Sequence, residues 1–465
     1  MNLLSSVAAY THTSTFSRMI WRVLLLVFMG LTIIRFASIG RPIWIDEFLH
    51  FAFGAADSLR EAWSIFLISL PVNHGQTGIY MMLDYFLLDI FGANLLALRL
   101  PSLLCGAWLL FSATQFLRLQ GFSYFWQLVM VFALFRDVSL MYFAGEARPY
   151  MPLAASVVGI LVYYSMPFRR RDSYLIKAIG FLSVLLGACM HPYFSLYWMA
   201  IFIFTTMVLI QRRQIELRFS QVMRQANPVL IVLGSSIYFL VAFIGWGQHI
   251  AKFKLNPFEH LPFTDAPYIF LRTHFEFLGT HNYFLGSLLI SCILLAYVLL
   301  PSKRNFLSGL MPPVVLIILA LALSAIVSFV SFRQGYWILP RQWVASSALV
   351  CVGFVWMCGV ISQKIFSGVG TLWKGILSTI FTITMGIVMV VNLLNFQHDQ
   401  KLYGQSIECS TYNQKIDSAP SLVANRPVEA GDNDIWVQAA NENIACSGPV
   451  WTWFTAYYLR SAETK

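Results

Sequence analysis

The sequence predicts an all-α polytopic membrane protein, and three observations predict it. Hydrophobic residues make up 58% of the chain, whereas Asp, Glu, Lys and Arg together make up 11%. Soluble domains carry about 25% charged residues, so this chain lacks the side chains to coat a water-exposed surface. Its apolar residues are gathered in runs of about 18 or more, long enough as helices to cross the hydrocarbon of a bilayer. Its Lys and Arg residues fall in short clusters between those runs, as they do where basic loops set membrane orientation. The net charge of +10 therefore reads as topology. A nucleic-acid surface would need a basic stripe interleaved with aromatics on a soluble segment, and the chain offers none.

The polar, Ser/Thr-rich stretch 1–18 precedes the first span, 20–38. That run is too long for the core of a signal peptide and lacks a small-residue cleavage site. Arg18 and Arg22 keep its first end cytoplasmic. The segment 51–69 is apolar on one side only, with Asp57, Arg60 and Glu61 on the other, the pattern of a helix lying in the interface. The run 79–91 is short for a span and is expected at the same outer surface. Further spans are expected at 95–117, 125–143, 150–168, 174–190, 194–210, 229–246, 284–300, 313–332, 344–361 and 376–394, about eleven in all.

The loops test that count. Arg169-Arg170-Arg171, Arg212-Arg213 with Arg218 and Arg224, Lys303-Arg304, and Lys364 with Lys374 all fall on the side shared with Arg18. The outer side then receives the loop 39–93 with its juxtamembrane helices, Glu146 to Arg148, His191, the loop 248–282, the stretch 333–341 and the tail. The chain divides into a transmembrane domain, 1–394, and a C-terminal tail or small domain, 395–465, on the outer side. Cys409 and Cys446 both lie in that tail and are disulfide candidates. The other five cysteines sit in apolar runs and read as packing residues. The sequence carries no internal repeat of the kind that builds many transporters.

Ionisable groups at membrane depth cost about 2.5–3.5 kcal/mol each on insertion scales, so each one is a site candidate. Asp46 and Glu47 come directly after the first span. They suit either a helix N-terminus, with Asp46 as cap, or a carboxylate at the mouth of a water-restricted cavity that takes a proton from an incoming hydroxyl. Glu146 and Arg148 flank Ala147 at the outer end of a helix, as a mutual ion pair or as site residues. Arg136 and Asp137 are expected to pair structurally with each other. Arg341 follows Pro340 and begins a helix, where a guanidinium and a helix N-terminus together seat a phosphate. His74 and His191 also face outward, as structural groups or as ligands.

In order, these outer-side residues resemble the GT-C superfamily of membrane glycosyltransferases, the polyprenyl-phosphate-sugar enzymes that include protein O-mannosyltransferases and the lipid A aminoarabinose transferase. Four features carry the likeness: Asp46-Glu47 after the first helix, Asn73-His74-Gly75 before a short helix, Phe91-Gly92 leading to Ala97-Leu98-Arg99-Leu100-Pro101-Ser102, and Glu146-Ala147-Arg148-Pro149-Tyr150. His191-Pro192-Tyr193-Phe194 and Leu339-Pro340-Arg341 resemble later signatures of the family. The likeness covers roughly the first 200 residues well and the rest by topology. Two departures stand out. His74-Gly75-Gln76 replaces the family's frequent His-Pro-Pro, and Pro340-Arg341-Gln342 replaces its Pro-Arg-Tyr, so a phosphate-binding tyrosine has to come from elsewhere, with Tyr336 the nearest candidate.

The resemblance implies a GT-C-like bundle whose donor is a sugar linked through one phosphate to a polyprenol. Its acceptor is a hydroxyl of an envelope glycan, lipid or protein. Asp46 is then the base, with Glu47 supporting it or orienting the acceptor. Arg341, Arg148, His74 and Tyr336 hold the donor phosphate, and Glu146 and His191 give support or ligate a divalent metal, which some relatives use and others do not. The implied location is a bacterial inner membrane with N-terminus cytoplasmic and active site and C-terminus periplasmic. Two alternatives stay open: a lipid or sugar transporter or flippase, and an O-antigen polymerase or ligase using a lipid pyrophosphate. The four histidines of the loop 248–282 suit the latter.

Overall fold

The computed structural model describes residues 15–37, 58–69, 77–92, 95–171, 173–241, 303–333, 340–365 and 371–394, together with Glu47, His50, Gly54 and Ala56. The elements among them are helical throughout: α1 (Thr15–Phe36), α2 (Leu59–Ser69), α3 (Ile79–Phe91), α4 (Leu95–Leu119), α5 (Tyr124–Arg136), α6 (Val138–Ala144) and α7 (Tyr150–Tyr164). They continue as α8 (Tyr174–Met190), α9 (Phe194–Gln211), α10 (Phe219–Ala226), α11 (Pro228–Val241), α12 (Lys303–Arg333), α13 (Val344–Ile365) and α14 (Thr371–Leu394). Two 3-10 turns, Phe168–Arg170 and Pro340–Trp343, link them. Six of the described helices, α1, α4, α9, α12, α13 and α14, are long and apolar enough to cross a membrane, while α5, α7, α8 and α11 are shorter apolar helices.

The bundle is organised around α7. Every residue from Tyr150 to Tyr164 is buried, because α4, α8, α9 and α13 all pack against it. A helix apolar on every face is stable only when surrounded. Small residues let the neighbours close in: a Cβ on Gly159 would collide with Ser183 Oγ and stand 3.4 Å from Trp108 Nε1. Tyr197 and Ser346 hydrogen-bond at 2.7 Å and tie α9 to α13. At the periphery α1 and α14 expose Leu26, Ile34, Phe381 and Ile387, a surface suited to lipid.

Two expectations are corrected. The single span over 125–143 is two helices, α5 and α6, broken at Asp137. The Asp137 carboxylate accepts the Leu140 N–H at 2.9 Å and so caps α6. It also takes the Ser347 hydroxyl at 2.7 Å and the Cys351 thiol at 3.3 Å from α13. A carboxylate offered three donors stabilises the break more than the unbroken helix would. For the same reason the Arg136–Asp137 pair does not form; Arg136 instead donates to Asn392 Oδ1 of α14. A smaller difference is that α7 stops at Tyr164, not at 168, because Pro167 cannot continue a helix and disfavours helical backbone before it. The expected span 284–300 and the tail 395–465 lie outside the described residues.

Two of the basic positions meet at one end of the bundle. Arg22 of α1 donates to Tyr124 Oη at 2.9 Å, and Arg212, beyond α9, donates to Gln120 Oε1 at 2.9 Å. Gln120 lies in the turn after α4, and Tyr124 is the first residue of α5.

Candidate functional site

The opposite end assembles a buried polar cluster. Glu47 is fully buried and accepts three hydrogen bonds: Arg99 Nε to Oε1 at 2.9 Å, Arg99 Nη2 to Oε2 at 2.8 Å, and Ala147 N–H to Oε1 at 2.8 Å. Arg99 stands near the start of α4, and its planar fork matches the carboxylate with two parallel bonds. Desolvating two charges is costly, and only such complete pairing offsets it. Ala147 belongs to the turn joining α6 to α7, so one carboxylate binds α4 and that turn to the chain at Glu47.

His50 lies three residues beyond Glu47, about one helical turn. Its Nδ1 meets Asp84 Oδ2 at 2.6 Å, and both side chains are fully buried. Tyr80, one turn before Asp84 on α3 and on the same face, stands edge-on to the His50 ring at 5.1 Å between centroids. The Tyr80 and Ser102 hydroxyls are 2.8 Å apart, and Ser102 donates to the Arg148 carbonyl at 3.1 Å. Burial, and then the Glu47 charge, hold the Asp84 carboxyl well above the usual carboxylate range. The α3 helix is aimed by Gly78, which caps it at φ +80; a Cβ there would meet the Phe66 ring at 2.8 Å, so only glycine fits both backbone and space.

Arg148 and His191 meet around Tyr150. The Arg148 guanidinium lies 5.6 Å from the Tyr150 ring centroid, and the His191 ring lies 5.9 Å from the same centroid. His191 ends α8, and its Nδ1 accepts the Tyr193 N–H at 3.2 Å. Burial, and then the Arg148 charge, push its pKa down to about 3. His191 is therefore neutral at pH 7, and with Nδ1 accepting, its proton sits on Nε2. It offers a hydrogen-bond donor here, not a cation.

Of the residues expected to form the site, Glu47, Glu146, Arg148 and His191 are buried at this end. Arg341 lies in the 3-10 turn Pro340–Trp343, one step before α13, and α6 packs on that turn. Asp46, His74, Tyr336, Cys409 and Cys446 lie outside the described residues. Among the described residues no group of three or more His, Cys, Asp or Glu side chains gathers to hold a metal. His191 would have to surrender its Tyr193 bond to ligate through Nε2. Sequence reasoning gave no role to Arg99, His50, Asp84 or Tyr80. The available signal was Asp84 itself, an acid in the middle of the apolar run IYMMLDYFLLDIF.

The fold and this cluster define a multi-pass, all-helical membrane protein with a buried, charged site at one end. No protein-family model matches the chain, nor does any curated protein. Among solved structures it is similar to the crystal structure of ArnT from Cupriavidus metallidurans in the apo state, at a TM-score of 0.40 and 12% identity, over 75% of this chain and 78% of that one. At that TM-score the functional reading rests on the residues of this chain alone.

Proposed function

We propose that the chain is a GT-C-type membrane glycosyltransferase that moves a sugar from a polyprenyl-phosphate donor to a hydroxyl of an envelope glycan, lipid or protein on the outer face of a bacterial inner membrane. One observation supports this above others. Glu47 of the first-loop pair, Arg99 of the Ala97–Ser102 motif and Ala147 of the Glu146–Tyr150 motif meet in one hydrogen-bonded cluster, though 52 and 100 residues of chain separate them from Glu47. Three of the four motifs that carry the family resemblance thus belong to one site.

The chemistry follows from the groups available. The acceptor oxygen forms a bond to the anomeric carbon as the bond from that carbon to the phosphate oxygen breaks, and the electron pair leaves with the polyprenyl phosphate. A phosphate is already a good leaving group, so a cationic clamp suffices and no general acid is needed. Arg341 and Arg148, with His74 and Tyr336, form that clamp. The acceptor proton passes to Asp46, one peptide bond from the Glu47 that Arg99 and Ala147 anchor, and attack from the opposite face inverts the anomeric centre. Glu47, bound by three donors, holds the loop in place. His191, neutral, contributes a donor N–H.

The test is native mass spectrometry of the purified protein with added polyprenyl phosphate, wild type beside Arg341→Ala, together with a transfer assay on Asp46→Asn. The expected result is lipid bound by wild type and lost from Arg341→Ala, with Asp46→Asn binding donor but not transferring. A wild type that binds no such lipid removes the donor class, and undiminished transfer by Asp46→Asn removes the base.

A further inference from the structure

The end of the bundle remote from the site carries a second feature, built on α10. At 100° per residue, Phe219, Val222, Met223 and Ala226 share one face, while Ser220, Gln221 and Arg224 occupy the other. The N-terminal part of that face is exposed, Phe219 by 82%, Met223 by 37% and the preceding Leu217 by 80%, while Ala226 at its other end is buried. Arg169, Arg170, Arg212, Arg213, Arg218 and Arg224 are also exposed around it. Glu216, paired with Arg218 at 2.7 Å, is the single acid described in that group.

The two loops that carry these arginines are locked together. Gln225 is fully buried; its amide donates to the Tyr164 and Met166 carbonyls at 3.0 and 3.2 Å and accepts the Phe168 N–H at 3.0 Å. Arg171 Nη1 returns a bond to the Gln225 carbonyl at 2.7 Å, and Asn227 Nδ2 donates to Tyr163 Oη at 2.7 Å. The basic turn after α7 and the basic loop after α9 are therefore hydrogen-bonded into one surface beside the exposed Leu217, Phe219 and Met223.

We propose that α10 with Leu217 is an interfacial anchor, and that the arginines around it bind the headgroups of anionic phospholipids in the leaflet at that end. Leu217, Phe219 and Met223 enter the boundary between headgroups and acyl chains, and the guanidiniums take lipid phosphates through paired N–H donors. Charge complementarity selects this occupant, because a zwitterionic surface gives six exposed arginines no net attraction. The inference depends only on the membrane character of the chain and stands whether or not the glycosyltransferase reading does.

The test uses the full-length protein in detergent, delipidated and then offered phosphatidylglycerol against phosphatidylcholine, with retained lipid counted by native mass spectrometry. Wild type should retain phosphatidylglycerol preferentially, and the preference should weaken as salt is raised. Two charges near an anionic surface contribute enough that the Arg218→Gln/Arg224→Gln double variant should bind phosphatidylglycerol about 30-fold more weakly. Arg60→Gln, an exposed arginine on α2, should match wild type. Since Arg218 and Arg224 are exposed, their loss leaves the bundle intact, and hydrogen exchange across 217–226 in phosphatidylglycerol nanodiscs gives a second reading: protection there should exceed that in phosphatidylcholine nanodiscs. Equal retention of the two lipids by wild type overturns the proposal, as does a double variant with wild-type preference or exchange that ignores the headgroup.

Discussion

Arg99→Met should be among the most destabilising single changes in this chain. The substitution roughly preserves volume and removes two charge-assisted hydrogen bonds from the fully buried Glu47 carboxylate, while the bond from the Ala147 N–H stays. Breaking a buried pair by deleting one partner costs about 3–5 kcal/mol. Glu47→Leu should cost a similar amount, because it takes the paired carboxylate from the Arg99 guanidinium, only 2% exposed, and its acceptor from the Ala147 N–H. The double variant Glu47→Leu/Arg99→Met removes both charges together and leaves the Ala147 N–H unmet, at about 1–3 kcal/mol. It should therefore be more stable than either single variant, not the sum of the two. Equilibrium unfolding in mixed micelles by SDS titration, followed by circular dichroism, gives the four corners of the cycle. Single variants within about 1 kcal/mol of wild type, or a double variant additive to within about 0.5 kcal/mol, would refute the idea that this pair clamps the loop to α4 and the α6–α7 turn.

Other outcomes are expected. Asp84 is held above the usual carboxylate range, so its folded form keeps a proton that the unfolded chain has released; the contribution to stability is complete at acid pH and is lost as pH rises through the folded value. Asp84→Asn mimics the neutral acid, and its unfolding midpoint should gain on wild type as pH rises above the ordinary carboxylate range, about pH 4; a difference that stays constant as pH rises would contradict the upward shift. Asp137→Ala should lose the α6 cap and the acceptor for Ser347 and Cys351, about 2–4 kcal/mol together, whereas Asp137→Asn keeps an acceptor oxygen and should lose roughly half as much by the same SDS titration. His191 stays neutral down to about pH 3, so any rate limb between about pH 5 and 8 belongs to another group. Transfer by His191→Gln should fall without that limb moving, and a limb that vanishes would show that His191 titrates there.

Much of the fold was legible in the chain because membrane insertion is read from local quantities. The run 344–361 announces α13 and the run 174–190 announces α8, since length and hydropathy alone decide whether a helix suits hydrocarbon. Two of the basic positions that the sequence puts on one side, Arg22 and Arg212, do meet one end of the bundle, through Tyr124 and Gln120. The helix break was not legible. Asp137 looked like half of an ion pair with its neighbour, and only the approach of Ser347 and Cys351, 210 and 214 residues away, supplies the donors that favour a cap over a continuous helix.

The same division runs through the site. Glu47, Glu146, Arg148 and His191 stood out as charges and a histidine beside apolar runs, and composition sufficed to single them out. Their partners did not follow from composition. Arg99 and Asp84 sit inside helices whose apolar residues are nearly interchangeable, so nothing local says which helix will lie beside the first loop. A buried charge takes the partner that packing brings within hydrogen-bond reach. Here the packing of α3 beside α4 brings Arg99 to Glu47 and Asp84 to His50. Burial around those pairs then sets the protonation of Asp84 and His191. Apolar length and the placing of charge made this a membrane-spanning helical chain; the neighbours each helix acquires on packing made the cluster.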